Sequence, residues 1–501
     1  MKGSSLKNIG GICMAKLVLE DAKYHRAKPW EIALFSMNNS ASNLYLFAFG
    51  FLTYYATGVA GLTTLLVSSV LGMARLFDGI IDPTIGFIID NFNTRWGKYR
   101  PIMLVSNIGL ILSFLMIFNL HNLSGTSQTV MLFISLVFHK IVYSFQQTVT
   151  KAAQSALTND PEQRPLFTLF DTAFSSIGVF AVGQYVVSNL LLPQYNNEYN
   201  GDFFSVFIPG ICVISLVLTV LAMIGLARKD QTKYFGLGHE ADQKLSLRDV
   251  WSIIKGNRPL QILALCGGLV KFVAQLIGDQ TFLVLLFGII LADMQLVGQV
   301  SLYLIIPQFI MIAIFTRLAG KKGLKFTYRT SILLGLVSWI LMTVVLAVTP
   351  DTTQIFSPAG FLAYCFLGLW VAAKIFTTYP TSTVLTMSAD ITDYETARSG
   401  KYAAGVIGTI FSLTDSIASS LSPIALGLVF AGIGYVDGFP QPNEPLNPAL
   451  MQGGYILLGI VIAVFALTAI LIHFYPLDPQ TMEDVQAKIA AKKAQKSNET
   501  A

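Results

Sequence analysis

The chain has 501 residues, of which 53% are hydrophobic and 12% charged, about half the charged share of a soluble domain. Mean hydropathy is +0.61, and 33 Lys+Arg against 28 Asp+Glu leave a net charge of +5. These figures exclude a disordered chain, a secreted disulfide scaffold and an ordinary soluble enzyme, and the small net charge argues against a nucleic-acid partner.

A spanning helix needs about 20 apolar residues. Runs of that length predict helices over 33–56, 63–90, 101–121, 128–156, 166–192 and 204–227, then a polar stretch, 228–259. Six more follow over 260–290, 297–319, 326–348, 358–388, 402–433 and 450–474. The expected fold is an all-α membrane protein with twelve transmembrane helices in two six-helix bundles, 33–227 and 260–474. A segment 1–32, a central loop 228–259 and a short amphipathic or disordered tail 475–501 complete it. Some 30 largely polar residues precede the first run, which argues against a signal peptide. Two halves of this kind are a common transporter plan. The four cysteines (Cys13, Cys212, Cys266, Cys365) are scattered and read as small hydrophobes, not as a disulfide or metal framework.

Lys and Arg set the expected orientation. The connections after even-numbered runs hold Arg95, Lys98, Arg100, Arg164, Lys321, Lys322, Lys325, Arg398, Lys401 and seven basic residues of the central loop. The connections after odd-numbered runs hold none, and carry Glu198, Asp202, Asp293, Asp351, Asp437 and Glu444 instead. Both termini are therefore expected in the cytoplasm.

Ten ionisable residues remain inside the runs. They are Arg75, Lys140, Lys151, Lys271 and Lys374 against Asp78, Asp82, Asp171, Asp279 and Asp415. Each costs about 2.5–3.5 kcal/mol at a helix centre, so such groups turn inward, pair, or line water. Arg75, Asp78 and Asp82 are spaced i, i+3, i+7 and share one helix face. Two carboxylates one turn apart repel unless a cation sits between them or one takes a proton. That pattern suits a coupling site for Na⁺, Li⁺ or H⁺, with Asp78 and Asp82 as metal ligands if the ion is Na⁺ and Arg75 as the supporting charge. The plain alternative is a three-member structural salt bridge.

The block Arg75-Leu-Phe-Asp78-Gly-Ile-Ile-Asp82-Pro83, followed by Arg95-Trp-Gly-Lys98-Tyr-Arg100-Pro101, resembles the glycoside–pentoside–hexuronide:cation symporters of the major facilitator superfamily. Ala389-Asp390-Ile-Thr-Asp393-Tyr394-Glu395 with Gly400-Lys401 is similar to a second family signature, and Ala156-Leu-Thr-Asn-Asp160-Pro is a weaker third. The blocks lie in both halves, so the resemblance covers the whole chain. It implies alternating access by two rocking bundles, symport of a sugar, glycoside, oligosaccharide or hexuronide with a cation, and coupling at Asp78 and Asp82. It implies no cofactor; substrate and membrane lipid are the expected partners, and the chain is expected to work as a monomer. Arg95, Lys98 and Arg100 would face Asp390, Asp393 and Glu395 as a cytoplasmic gate.

The departures bear on the substrate. Aligned on Tyr54-Tyr55-Ala-Thr57, the melibiose-permease-type sugar Asp of helix 1 falls at Ser42, beside Asn43. That of helix 4 falls at Gln146, next to Gln147; the family's Arg on helix 5 falls near Asp171, and its Lys on helix 11 near Ser416. The candidate substrate residues are therefore Asn43, Tyr143, Gln146, Gln147, Lys271, Trp370 and Lys374, the aromatic rings as sugar platforms. The lysines favour an anionic hexuronide unless they serve packing, Lys374 by pairing with Asp415. Lys271 lies eight residues before Asp279, about 12 Å along a helix and too far to pair with it directly. A carrier of a lipid-like or drug-like substrate on the same scaffold is the rival reading. No metal spacing, nucleophile elbow or phosphate loop supports an enzyme.

Overall fold

The computed structural model describes residues 25–76, 85, 88–89, 94–158, 160, 162–231, 255–356, 360–400 and 403–500. Among these the chain is helical, with only an isolated bridge between Thr94 and Gly97. α1 spans Pro29–Phe49 and continues as Leu52–Tyr54 and a π-helical turn, Tyr55–Val59. α2 is Thr64–Leu76, α3 Tyr99–Ile117 and α4 Gly125–Leu157. α5 runs over Arg164–Tyr195 with two π-helical stretches, and α6 over Gly201–Leu226. α7 is Arg258–Leu276, α8 Gln280–Ile290 and α9 Gln295–Lys322. α10 is Leu324–Val348, α11 Phe361–Ser399, α12 Ala404–Gly432 and α13 Pro448–His473. α14, Pro479–Thr500, follows.

Ten of these helices (α3 to α7 and α9 to α13) are long and apolar enough to cross a membrane, as a multi-pass membrane protein requires. α1 is more polar because Ser36, Asn38, Asn39, Ser40, Ser42 and Asn43 fall within it. Helix starts follow ordinary capping chemistry. Asn257 and Asn447 accept the N–H of Leu260 and Leu450, each at 2.9 Å, and proline follows in the first turn of both helices.

Two elements differ from expectation, and the tail takes one of its two expected forms. The run 260–290 is two helices: α7 ends at Leu276, and α8 starts after Asp279, whose Oδ1 accepts the Thr281 N–H at 2.9 Å and its hydroxyl at 2.7 Å. The run 358–388 continues as helix to Ser399, because Ile391, Thr392 and Glu395 extend its buried face. The tail is helical over Pro479–Thr500; it lies along α11 and buries Val485.

Internal contacts divide the chain into two compact units. The first comprises Met1–Phe49, Ile80–Phe180 and Ser205–Glu240; the second comprises Gly50–Gly79, Ala181–Phe204 and Ala241–Ala501. The first is built on α1, α3, α4, the start of α5, and α6, around a core that includes Ile32, Phe35, Met103, Val149, Phe167 and Leu226. In the second, α10 packs on α11 and α13, and α7 on α11, α12 and α13. There α2 also packs closely on α12. A Cβ at Gly72 would sit 2.8 Å from the Ser420 carbonyl oxygen, so only glycine permits this approach.

Candidate functional site

Three polar stripes meet in the first unit. Ser36, Asn39 and Asn43 are spaced i, i+3, i+7 on α1. Tyr143, Gln147, Lys151 and Gln154 follow one face of α4, and Arg164, Thr168, Asp171 and Ser175 one face of α5. They bound a cavity of about 570 Å³ lined by Ser36, Asn39, Gln147, Thr150, Lys151, Gln154, Arg164, Thr168 and Asp171 among others, with Phe35 and Phe167 as apolar walls. This is within the size range of small-molecule sites.

A chain of hydrogen bonds fixes its inner end. Asn39 Nδ2 donates to Asp171 Oδ1 at 2.5 Å, and Ser175 Oγ donates to the same oxygen at 3.1 Å. Gln147 Nε2 reaches Asn39 Oδ1 at 3.2 Å, Ser42 Oγ at 3.1 Å and Tyr143 OH at 3.2 Å. Of the expected substrate residues, Gln147 and Tyr143 thus belong to one network, and Asn43 lies partly exposed one turn beyond Asn39. Asn39 and Asp171 were not among the expected substrate residues. The polar spacings on α1 and α5 are the signal that finds them.

Gln146 is different. It is fully buried. Its Oε1 accepts from Ser106 Oγ, and its Nε2 donates to Asn38 Oδ1 at 2.7 Å and Thr219 Oγ1 at 3.5 Å. It ties α4 to α1, α3 and α6, because its face of α4 packs against those helices. Gln146→Ala is expected to destabilise the protein by about 2 kcal/mol through orphaned buried partners. Gln147→Ala is expected to leave stability nearly unchanged and raise the substrate concentration needed for half-maximal uptake. Thermal melting in detergent paired with uptake kinetics checks both.

The second unit holds the remaining membrane charges. Lys271 Nζ on α7 lies 3.0 Å from Asp415 Oδ1 on α12. The expected packing partner of Asp415 was Lys374, and the break after α7 explains the exchange. The break frees the Ile277 carbonyl at the negative end of α7. Lys374 Nζ donates to it at 3.2 Å and lies over the Trp370 ring, 5.4 Å from its centroid. Trp370 is only 2% exposed and packs against Phe287 at 5.0 Å and Trp339 at 5.8 Å. Its surroundings are those of a core residue rather than a sugar platform. Arg75 Nη1 donates to the Ser419 carbonyl of α12 at 2.9 Å; Asp78 and Asp82 lie outside the described residues. Lys271→Met is expected to slow uptake about tenfold, roughly 1.4 kcal/mol, by leaving Asp415 without its counter-charge, and Asp415→Asn added to it should restore most of the rate. A double-mutant cycle on initial uptake rates tests the pairing.

A family model described as MFS/sugar transport protein matches residues 35–479. The chain belongs to this family. Within the major facilitator superfamily it is a member of the glycoside–pentoside–hexuronide:cation symporters. It is 24% identical over 477 residues to an isoprimeverose transporter of Lactiplantibacillus pentosus, covering 93% of each chain. It is 25% identical over 480 residues to a glucuronide carrier protein homolog of Escherichia coli (strain K12), covering 92% of this chain and 95% of the relative. Among solved structures, the nucleoside transporter NupG matches with a TM-score of 0.61 at 13% identity, over 88% of this chain and 98% of that one. At that identity the likeness speaks for the fold.

Among the described residues, parts of the signature blocks have local partners. In the first unit, Arg95 lies 6.0 Å from the Trp96 ring centroid and Lys98 Nζ 5.5 Å from that of Tyr99. The Arg100 side chain reaches buried Asp230 at 3.4 Å. In the second unit, Glu395 is fully buried; its Oε1 and Oε2 accept from Arg398 at 2.9 and 3.0 Å, and Asn257 Nδ2 donates to Oε2 at 2.9 Å. Asp393 Oδ2 accepts from Gln486 of α14 at 2.7 Å, and Asp390 is partly exposed one turn earlier.

Proposed function

We propose that the protein is a secondary active transporter that moves a sugar or glycoside together with a cation by alternating access. The observation that carries this reading is the polar cavity of α1, α4 and α5, in which Asn39, Gln147 and Asp171 form one hydrogen-bonded set between apolar helices. Carboxylate and amide groups in water-lined cavities suit hydroxyl-rich ligands. An isoprimeverose transporter and a glucuronide carrier homolog among the relatives support a saccharide cargo. We assign coupling to Asp78 and Asp82, with Arg75 as their neighbouring charge. Twelve spans in two six-helix bundles with cytoplasmic termini complete the proposal, on the Lys/Arg asymmetry of the connections.

The test is uptake of labelled glycosides into vesicles containing the purified protein, under an imposed Na⁺ or pH gradient. Accumulation above equilibrium that collapses with the gradient is the expected result. Accumulation indifferent to every imposed gradient would sink cation coupling, and no saccharide uptake at all would sink the cargo assignment.

A further inference from the structure

The inner end of the α1–α4–α5 cavity offers acceptors. Asp171 Oδ1 takes both of its protein donors, Asn39 Nδ2 and Ser175 Oγ, and among the described residues no donor reaches Oδ2. Gln147 spends its Nε2 on Asn39, Ser42 and Tyr143, and among the described residues no donor reaches its Oε1. Both side chains line the cavity and are bonded to the two ends of a single Asn39 amide. An oxygen with open lone pairs is a partner for a hydroxyl donor.

The cavity's cations are placed elsewhere. Lys151 lies one turn beyond Gln147 towards the α4–α5 connection, and both it and Arg164 are exposed. Arg164 precedes Asp171 by seven residues, about 10 Å along a helix. The basic groups therefore stand at the α4–α5 end of the cavity, and the carboxylate at the far end. A substrate carboxylate at that inner end would meet the like charge of Asp171 and the open oxygen of Gln147.

Resting on the symport reading above, we propose that Asp171, held by Asn39 and Ser175, is the specificity-determining residue of the substrate site, and that it accepts hydrogen bonds from ring hydroxyls of a neutral glycoside. The sugar-reading carboxylate has then moved to α5, while positions 42 and 146 on α1 and α4 carry Ser42 and Gln146. This also assigns the cargo class: a neutral pyranoside with free hydroxyls, in preference to a hexuronide.

Counterflow in proteoliposomes containing the full chain tests it. The probes are methyl glucoside, methyl galactoside, methyl xyloside, methyl glucuronide and monodeoxy versions of the best neutral substrate. Wild type is expected to exchange at least one neutral glycoside with a lower half-saturation concentration than the glucuronide. Asp171→Asn should raise that concentration about ten- to hundredfold, the worth of a hydrogen bond to a charged group. The decisive readout is the deoxy series. Removal of the hydroxyl that Asp171 reads should weaken wild type about tenfold and leave Asp171→Asn unchanged. A merely structural Asp171 would leave the deoxy penalties equal in both proteins, and that result overturns the proposal. Preference of wild type for the glucuronide overturns it while leaving sugar symport standing; exchange of no saccharide overturns both. Should Asp171→Asn fail to insert, Asp171→Glu, which keeps the acceptor, must retain the hydroxyl dependence, and its loss there counts against the assignment.

Discussion

Asp78→Asn and Asp82→Asn are each expected to abolish uptake against a gradient while exchange at equilibrium persists in part. Asparagine keeps the size and shape of the side chain and removes the charge, so packing is nearly preserved. What is lost is the capacity to take up a proton or to balance a bound Na⁺. By sequence Asp78 and Asp82 are four residues apart in an apolar run, where each charge costs about 2.5–3.5 kcal/mol, and such a pair persists only where a cation offsets its repulsion. Arg75, three residues before Asp78 in the sequence, donates to the Ser419 carbonyl of α12. α2 is thereby tied to the helix that carries Asp415, the partner of Lys271. A fall in gradient-driven uptake of about two orders of magnitude, roughly 2.7 kcal/mol, is expected for each variant, with binding of substrate measured separately by exchange. Wild-type concentrative uptake in both variants would remove the coupling role from this helix.

The helical membrane class was legible because it depends on composition alone: a chain with so few charges has long apolar runs, and lipid leaves those runs no option but helix. The polar cavity was legible in part. The spacing of Arg164, Thr168, Asp171 and Ser175 marks a polar face on α5, yet sequence cannot say that Asn39 of α1 closes against it. Gln146 and Gln147 show the limit most clearly. Adjacent residues on a helix point about 100° apart, so one enters the cavity wall and the other the helix interface, and only the neighbouring helices decide which. The break between α7 and α8 was hidden for a similar reason. Residues 260–290 read as one apolar run, and only the capping geometry of Asp279 shows that the backbone stops and restarts. That break in turn gives Lys374 a carbonyl partner and leaves Asp415 to Lys271.

Asp230→Ala is expected to be the most destabilising substitution outside the transport path. Asp230 lies at the start of the central loop, and no motif in the sequence marks it. Its carboxylate is fully buried and accepts the backbone N–H groups of Lys98 at 2.9 Å, Tyr99 at 3.2 Å and Arg100 at 3.0 Å. Lys98, the residue at the start of α3, supplies no side-chain cap. Asp230 therefore caps α3 from 130 residues away, placing negative charge at the positive end of the helix. Alanine there leaves three backbone donors at the start of α3 uncapped and removes the Arg100 ion pair, at a cost of about 2–4 kcal/mol. Gly97 makes the cap possible. Its φ of +109° disfavours other residues, and a Cβ would sit 2.1 Å from Asp230 Oδ2. Gly97→Ala should therefore expel the carboxylate and cost about 2–3 kcal/mol. Because both substitutions destroy the same contact, the double variant should lose clearly less than the sum, exceeding Asp230→Ala only by the backbone strain at position 97. Melting temperatures of the four proteins in one detergent decide it. Additive losses would mean that Gly97 and Asp230 act separately, and that α3 is held by something other than this cap.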